Sequence, residues 1–358
     1  MTIAETPPLR IAVVGPIKGG SLPIAAATAR ALNRLGHTAI FIDNSHHEAA
    51  LNGLKSAGLS EEDRRNREVD LFLHAADETQ TRVVESKPQL AIYLAQAPVL
   101  SAANLDRLRE RNVPSVFWFV EDFRVFTYWQ RAATRYDHVW AIQGEPFVSL
   151  LKQQGVAHVD HVPMACETVD TSIYEPGFAA GEVTFVGSGY PNRVQFFAKL
   201  ANENLRLFGP GFAQNKALAA AVVADGVLPH EQLAAIFSQS RINLNLSSTA
   251  DPALFGERKD FLNPRAFEIC AAGGFQLAER LLPIEEFFEP EVEIITFQGV
   301  AEANDKIRFY LNNETARQDV AARGRQRALA HHTYESRLGA ALERLMQVDG
   351  GRVLGARW

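Results

Sequence analysis

The chain has 358 residues and 39.5 kDa, 47% of them apolar and 22% charged. At about 150 residues per domain this length suggests two globular units, each with its own core, and the apolar content excludes a mainly disordered chain. The 36 basic and 42 acidic side chains leave a net charge of −6, which excludes a broad basic footprint for duplex nucleic acid.

The opening MTIAETPPLR lacks the basic-then-apolar pattern of a signal peptide. No stretch approaches the ~18 uncharged apolar residues of a membrane span. Cys166 and Cys270 lie far apart and outside C-x-x-C spacing, so neither a disulfide scaffold nor a cysteine–zinc site is expected. The expectation is a cytoplasmic protein with no transmembrane segment, and peripheral membrane contact stays open.

Leu9 to Gly15 reads as a buried strand, and GPIKGGS then turns the chain. Residues 21–36 have apolar groups at helical spacing and stop on Gly36, a natural residue after a helix end. The GPIKGGS loop is neither G-x-G-x-x-G nor a P-loop, so a nicotinamide dehydrogenase or P-loop nucleotidase gets little support. Gly19 and Gly20 are its candidates for close approach to a ligand. TAIFID, ending on Asp43, is the second strand. Gln89 to Ala95, Ser115 to Val120, His138 to Ile142 and His158 to Ala165 follow, with helical patterns between most of them. Apolar strands alternating with helices indicate a parallel sheet covered on both faces.

Strand ends are where active-site groups of such sheets collect, so Glu121, Asp122, His46 and His47 are acid/base candidates. The aromatic run from Phe117 to Trp129 reads mostly as core, with one or two rings free to line a sugar site. No histidine–carboxylate cluster has metal-ligand spacing in the sequence, so no metal is expected.

Glu167 to Gly181 reads as a linker, and the strand–helix pattern then restarts. Strands are expected at Glu182 to Ser188, Leu205 to Gly209, Ile242 to Ser248, Gly274 to Ala278 and Glu293 to Phe297. FVGSGYPNR runs from a strand into a glycine loop, where Gly187, Ser188 and Arg193 can meet a phosphate. In DFLNPRAFEICAAGG, Asn263 and Pro264 form an N-cap and first-position pair, and Gly273 marks the stop. Arg265 and the helix N-terminus are suited to a diphosphate, and Glu268 to a ribose diol. An exposed Arg–Glu pair three residues apart is the plainer alternative. The final TYESRLGAALERLM puts Tyr334, Leu338, Ala341, Leu342 and Leu345 on one face.

Taken in order, FVGSGYPNR, LRLFGPGF, GVLPHEQLAAIFSQSRINLNLSS, LNPRAFEICAAGGFQLAE and HTYESR resemble the glycosyltransferase group-one superfamily, with the likeness nearest its CgeB-like (spore-maturation-protein-like) branch. The resemblance covers about residues 180–345, with a looser likeness in the first half. It implies a GT-B fold: two Rossmann-like doubly wound parallel-sheet domains facing across a cleft, with the C-terminal helix crossing back to the first. The domains would be 1–168 on the acceptor side, 169–333 for the nucleotide sugar, and 334–358 as the returning helix and tail. The resemblance places the ribose-binding acid on Glu268, and Asp260 where the superfamily has a glutamate. It places the diphosphate-neutralising pair on Arg193 and Arg265, and the base near LRLFG and the Val227 to His230 turn.

The expected function is metal-independent transfer of a sugar from a nucleotide-diphosphate donor, UDP-sugar first, with no separate cofactor. The acceptor is a glycan, a protein or a small molecule, and Asp122 is the candidate catalytic base. Two rivals remain: a non-catalytic GT-B protein binding nucleotide sugars or a partner, and a GT-B-like nucleotide-sugar epimerase.

Overall fold

The computed structural model describes residues 7–99, 102–168, 181–200, 204–248, 260–281 and 283–358. The chain divides into two compact units, Met1–Pro163 together with Tyr334–Trp358, and Met164–Thr333.

The first unit holds β1 (Arg10–Val14), β2 (Thr38–Ile42), β3 (Leu90–Leu94), β4 (Ser115–Phe119), β5 (His138–Ala141) and β6 (His158–His161). All pair in parallel, in the order β2-β1-β3-β4-β5-β6. Every residue of β3, β4 and β5 is buried, as expected for strands covered by helices on both faces. The helix Ser21–Arg34 ends before Gly36, whose φ of +88° only glycine adopts cheaply. The helix Glu61–Glu85 starts on Ser60, whose hydroxyl accepts the Asp63 N–H at 3.1 Å, with three acidic residues in its first turn.

The final helix Tyr334–Leu354 belongs to this unit and buries Tyr334, Leu338, Ala341, Leu342 and Leu345. Tyr334 meets Trp118 edge-on, and Arg34 pairs with Glu335. Arg344 reaches Asp160 at 2.8 Å, Asp349 reaches His138 at 3.0 Å, and Arg352 reaches Asp137 at 3.1 Å.

The second unit holds β7 (Val183–Val186), β8 (Leu205–Phe208), β9 (Val222–Ala224), β10 (Ile242–Asn245), β11 (Gln276–Glu279) and β12 (Ile295–Phe297). Its parallel order is β12-β11-β10-β7-β8-β9. The short β9 is an edge strand that the sequence pattern does not announce. The strand expected over residues 158–165 stops at His161, shortly before Pro163, which has no N–H to give a ladder. Of the expected linker, residues 169–180 lie outside the described residues. Cys166 and Glu167 are buried in the second unit, where Cys166 donates its N–H to the His332 carbonyl at 2.9 Å. Among the described residues no helix is long and apolar enough to cross a membrane.

Leu338 is fully buried within the first unit. Leu338→Ala is expected to destabilise the protein by about 2–5 kcal/mol, the cost of a core cavity, read by denaturant titration. An unchanged midpoint would mean that the last helix is not part of this core.

Candidate active site

In an open parallel sheet, ligands gather at the carboxyl ends of the strands where the winding reverses. Each sheet has one such point. It lies between β1 and β3 in the first unit and between β7 and β10 in the second.

At the second point, β7 runs into Gly187–Ser188–Gly189, and the helix Pro191–Lys199 carries Asn192 and Arg193 in its first turn. Arg193 is only 8% exposed. Its guanidinium donates to the carbonyls of Ser188 at 3.0 Å and Leu246 at 2.6 Å and lies over the rings of Phe185 and Tyr190. Among the described residues no carboxylate pairs with it, and its Nε is buried without a partner. Burial lowers its pKa to about 10, and the nearby charge of Arg265 pushes the same way. It is still a cation at neutral pH, and the nearby Tyr190 and Glu279 oppose the lowering.

The glycines around it have a different task from the expected one. The N–H groups of Gly187 and Gly189 donate to the carbonyls of Phe208 and Pro210 at 2.8 and 2.7 Å. A Cβ on Gly209 would stand 2.3 Å from the Gly187 oxygen, and one on Gly189 would stand 2.7 Å from the Gly211 carbonyl. The loops after β7 and β8 therefore mesh backbone to backbone. Gly187 spends its N–H on that contact, not on a ligand, and Ser188 supplies the carbonyl that holds Arg193.

The helix Arg265–Ala271 has seven residues and buries Ala266, Phe267, Ile269, Cys270 and Ala271. Asn263 caps it as the sequence predicts, its Oδ1 accepting the Ala266 N–H at 3.2 Å. The N–H groups of Phe267 and Glu268 both go to the Pro264 carbonyl at 3.0 Å. This corrects the expectation that the first-turn N–H groups face a diphosphate, because these three already have acceptors. Arg265 pairs with Glu268 and lies over the Phe237 ring. Glu268 also lines a narrow hollow with Glu167, Leu233 and Phe237, with about 20 Å³ of room.

A polar web not read from the sequence locks these parts together. Asn192 donates to the Ser247 carbonyl at 2.9 Å, and Asn263 donates to Asn245 at 2.9 Å. Asn245 donates to Gln276 at 2.8 Å, and Glu279 accepts from the Ser247 hydroxyl at 2.7 Å. The available signal was INLNLSS, in which asparagines alternate along a strand that should be wholly apolar.

The first unit has a cavity of about 300 Å³ at its own reversal point, with Lys18, Gln96, Phe117, Tyr128 and Tyr136 in its walls. Gly19, in the left-handed region at φ +100°, places the preceding loop near Gln96, whereas Gly20 faces open space. Beside this cavity, Glu121 accepts from the Gln96 amide and from the Tyr128 hydroxyl, the latter at 2.6 Å. Burial raises its pKa against the effect of both donors. Asp122 is turned toward its own loop: its Oδ1 accepts the Arg124 N–H at 3.1 Å, and its carbonyl accepts from Val125 and Phe126. His46 and His47 lie apart from the cavity walls, both against Glu78.

Residues 193–343 match the family model described as glycosyl transferase-like. Among curated proteins, no sequence matches the chain. Sucrose-phosphate synthase of Thermosynechococcus elongatus is similar in structure, with a TM-score of 0.60 at 12% identity over 94% of this chain and 98% of that one. So is Anabaena HepE, solved in complex with UDP and glucose, with a TM-score of 0.60 at 12% identity over 94% and 99%. A glycosyltransferase of Rickettsia africae gives 0.58 at 12% identity over 96% and 99%. The fold is GT-B. The GT-B architecture expected from the sequence stands, and the segment from Arg193 to Glu343 is similar to the glycosyl transferase-like family.

Gly209→Ala is expected to destabilise the protein by about 1–3 kcal/mol or more, because a Cβ there meets backbone and the φ of +125° is strained for alanine. A thermal or urea transition at the wild-type position would show that the two loops can separate freely.

Proposed function

We propose that the carboxyl-terminal unit binds a nucleotide-diphosphate sugar, a UDP-sugar first, and that the sugar passes to an acceptor held by the amino-terminal unit, with no metal taking part. The observation that carries this reading is Arg193, a buried cation that no carboxylate of the described residues pairs with, with a second arginine close enough to repel it. A diphosphate would bring negative charge to this guanidinium and to Arg265. HepE, with its UDP and glucose, supports the choice of nucleotide.

Transfer breaks the bond between the sugar and the diphosphate, leaving charge on the departing nucleotide. Arg193 is preorganised by two carbonyls and two rings, so it can meet that charge with little rearrangement. Arg265 joins it by leaving Glu268, and the freed carboxylate accepts from the ribose hydroxyls. In the first unit the aromatic wall of Phe117, Tyr128 and Tyr136 suits the apolar face of a sugar ring or an aromatic acceptor. Glu121, and not Asp122, is proposed as the base that takes the acceptor proton. It is held by two donors beside that wall, and burial makes it the stronger base.

Arg265→Ala should cost about 1.5–3 kcal/mol of donor interaction, seen partly in affinity and partly in kcat. Glu268→Gln should weaken donor binding and affect kcat less, because the ribose is remote from the breaking bond. Calorimetry with UDP-sugars decides, with EDTA in the cell. Full donor affinity in both folded variants, or binding that collapses under EDTA and returns with manganese or magnesium, would put the donor elsewhere.

Glu121→Gln should lower kcat by about 10²–10⁴-fold while sparing donor affinity, and Asp122→Asn should do neither. A base works only when ionised. The wild-type rate should therefore fall on acidification at a higher pH than an ordinary carboxylate dictates, and Glu121→Gln should lose that limb. The reverse ranking of the two variants would return the role to Asp122.

A further inference from the structure

One cluster has no part in either site. The 3-10 turn Ser45–His47, after β2, presents two consecutive imidazoles to Glu78 on the helix Glu61–Glu85. His46 Nε2 lies 3.0 Å from one carboxylate oxygen, and His47 Nε2 lies 3.1 Å from the other. The three ligand atoms all fall within 4.8 Å of one another. Two ligands each ~2.0–2.1 Å from a zinc ion, at angles of about 90–110°, stand about 2.9–3.4 Å apart, so these separations, which hydrogen bonds also give, fit groups around an ion.

His47 makes the stronger case. Its side chain is 9% exposed, and its buried Nε2 faces the Glu78 carboxylate at 3.1 Å. A buried imidazole nitrogen facing a carboxylate, with a second imidazole on the same carboxylate, is a set of ligand atoms that a metal ion would hold together.

The surroundings fix the turn. Asn44 donates to the Gly15 carbonyl at 2.8 Å and accepts from the Thr79 hydroxyl at 2.9 Å, and Asp43 Oδ1 accepts the Ser45 N–H at 2.8 Å. Arg82 stands 3.9 Å from Glu78 but directs a hydrogen bond to the Asp43 carbonyl at 2.8 Å, so the carboxylate stays available to the histidines. His74, one helical turn before Glu78, stands edge-on to His47 with ring centroids 6.0 Å apart.

We propose that His46, His47 and Glu78 bind one divalent transition-metal ion of the zinc class, with water or His74 in the fourth position. Imidazole and carboxylate ligands of this number suit zinc, cobalt or nickel, not magnesium or calcium. The ion clips the turn after β2 to the long helix. Leu51, on the helix that follows this turn, and Phe72, on the long helix, both line the 300 Å³ cavity. The clip therefore holds two of that cavity's walls, as a structural device apart from the transfer chemistry.

The test uses tag-free full-length protein, stripped with chelator and dialysed. Calorimetry with Zn²⁺, and visible absorption with Co²⁺, should show one saturable equivalent and a raised melting temperature. His46 is half-exposed, so His46→Ala should fold normally, as should Glu78→Gln, and both should lose that equivalent. His47→Ala should lose it too, with circular dichroism checking its fold. His331→Ala, on an exposed histidine elsewhere, should keep it. No saturable binding to the wild type, or an undiminished equivalent in both His46→Ala and Glu78→Gln, would overturn the site. Either result is separate from the donor experiment, which reads nucleotide-sugar affinity.

Discussion

Moving a guanidinium out of water is expensive, and proteins usually offset the cost with a carboxylate in contact. Among the described residues Arg193 is buried without such a contact, balanced by carbonyl oxygens and aromatic faces. Much of the second unit can be understood as what this arrangement requires. The Leu246 carbonyl must be presented at the end of β10, so the strand end is tied down through Asn245, Ser247 and their partners. The Ser188 carbonyl must be presented from the other side, so the loop after β7 is held by its neighbour after β8 through glycines that allow backbone contact. The site is rigid because its cation has few acceptors and each must be in place.

The two units share one plan with different chemistry at the reversal of winding. In the second unit that point carries positive charge and polar side chains. In the first it carries a roomy cavity with aromatic walls and a half-buried carboxylate. A charged, hydrophilic ligand suits one and a ring-bearing hydroxyl compound suits the other. This is the division of labour proposed above for sugar transfer.

Much of the fold could be read in the chain. The apolar strands, Gly36 and Gly273 at helix ends, and the five-residue face of the last helix are local patterns, and apart from the early stop at His161 these elements formed where their patterns lie. What escaped was non-local. The carboxylate facing His46 and His47 comes from a helix much later in the chain, and helical spacing around Glu78 says nothing of a turn after β2. Glu121 and Asp122 are adjacent and chemically alike, so only the positions of Gln96, Tyr128 and Arg124 distinguish them. Arg193 was legible as a residue but not as a buried one, since a lone arginine at a helix start is commonly solvated.

The second unit is inserted within the first, because residues 334–358 return to complete the core begun by residues 1–163. During synthesis, β1 to β6 are all made before the helix that covers Trp118 and answers Asp137, His138 and Asp160 exists. The ribosome must build the whole of Met164–Thr333 in the interval, at about 5–20 residues per second. The nascent first sheet therefore spends on the order of ten seconds or more with an apolar strip uncovered, a natural target for chaperones. The inserted unit has all its strands by then and can fold first, so the order of maturation runs against the order of the sequence.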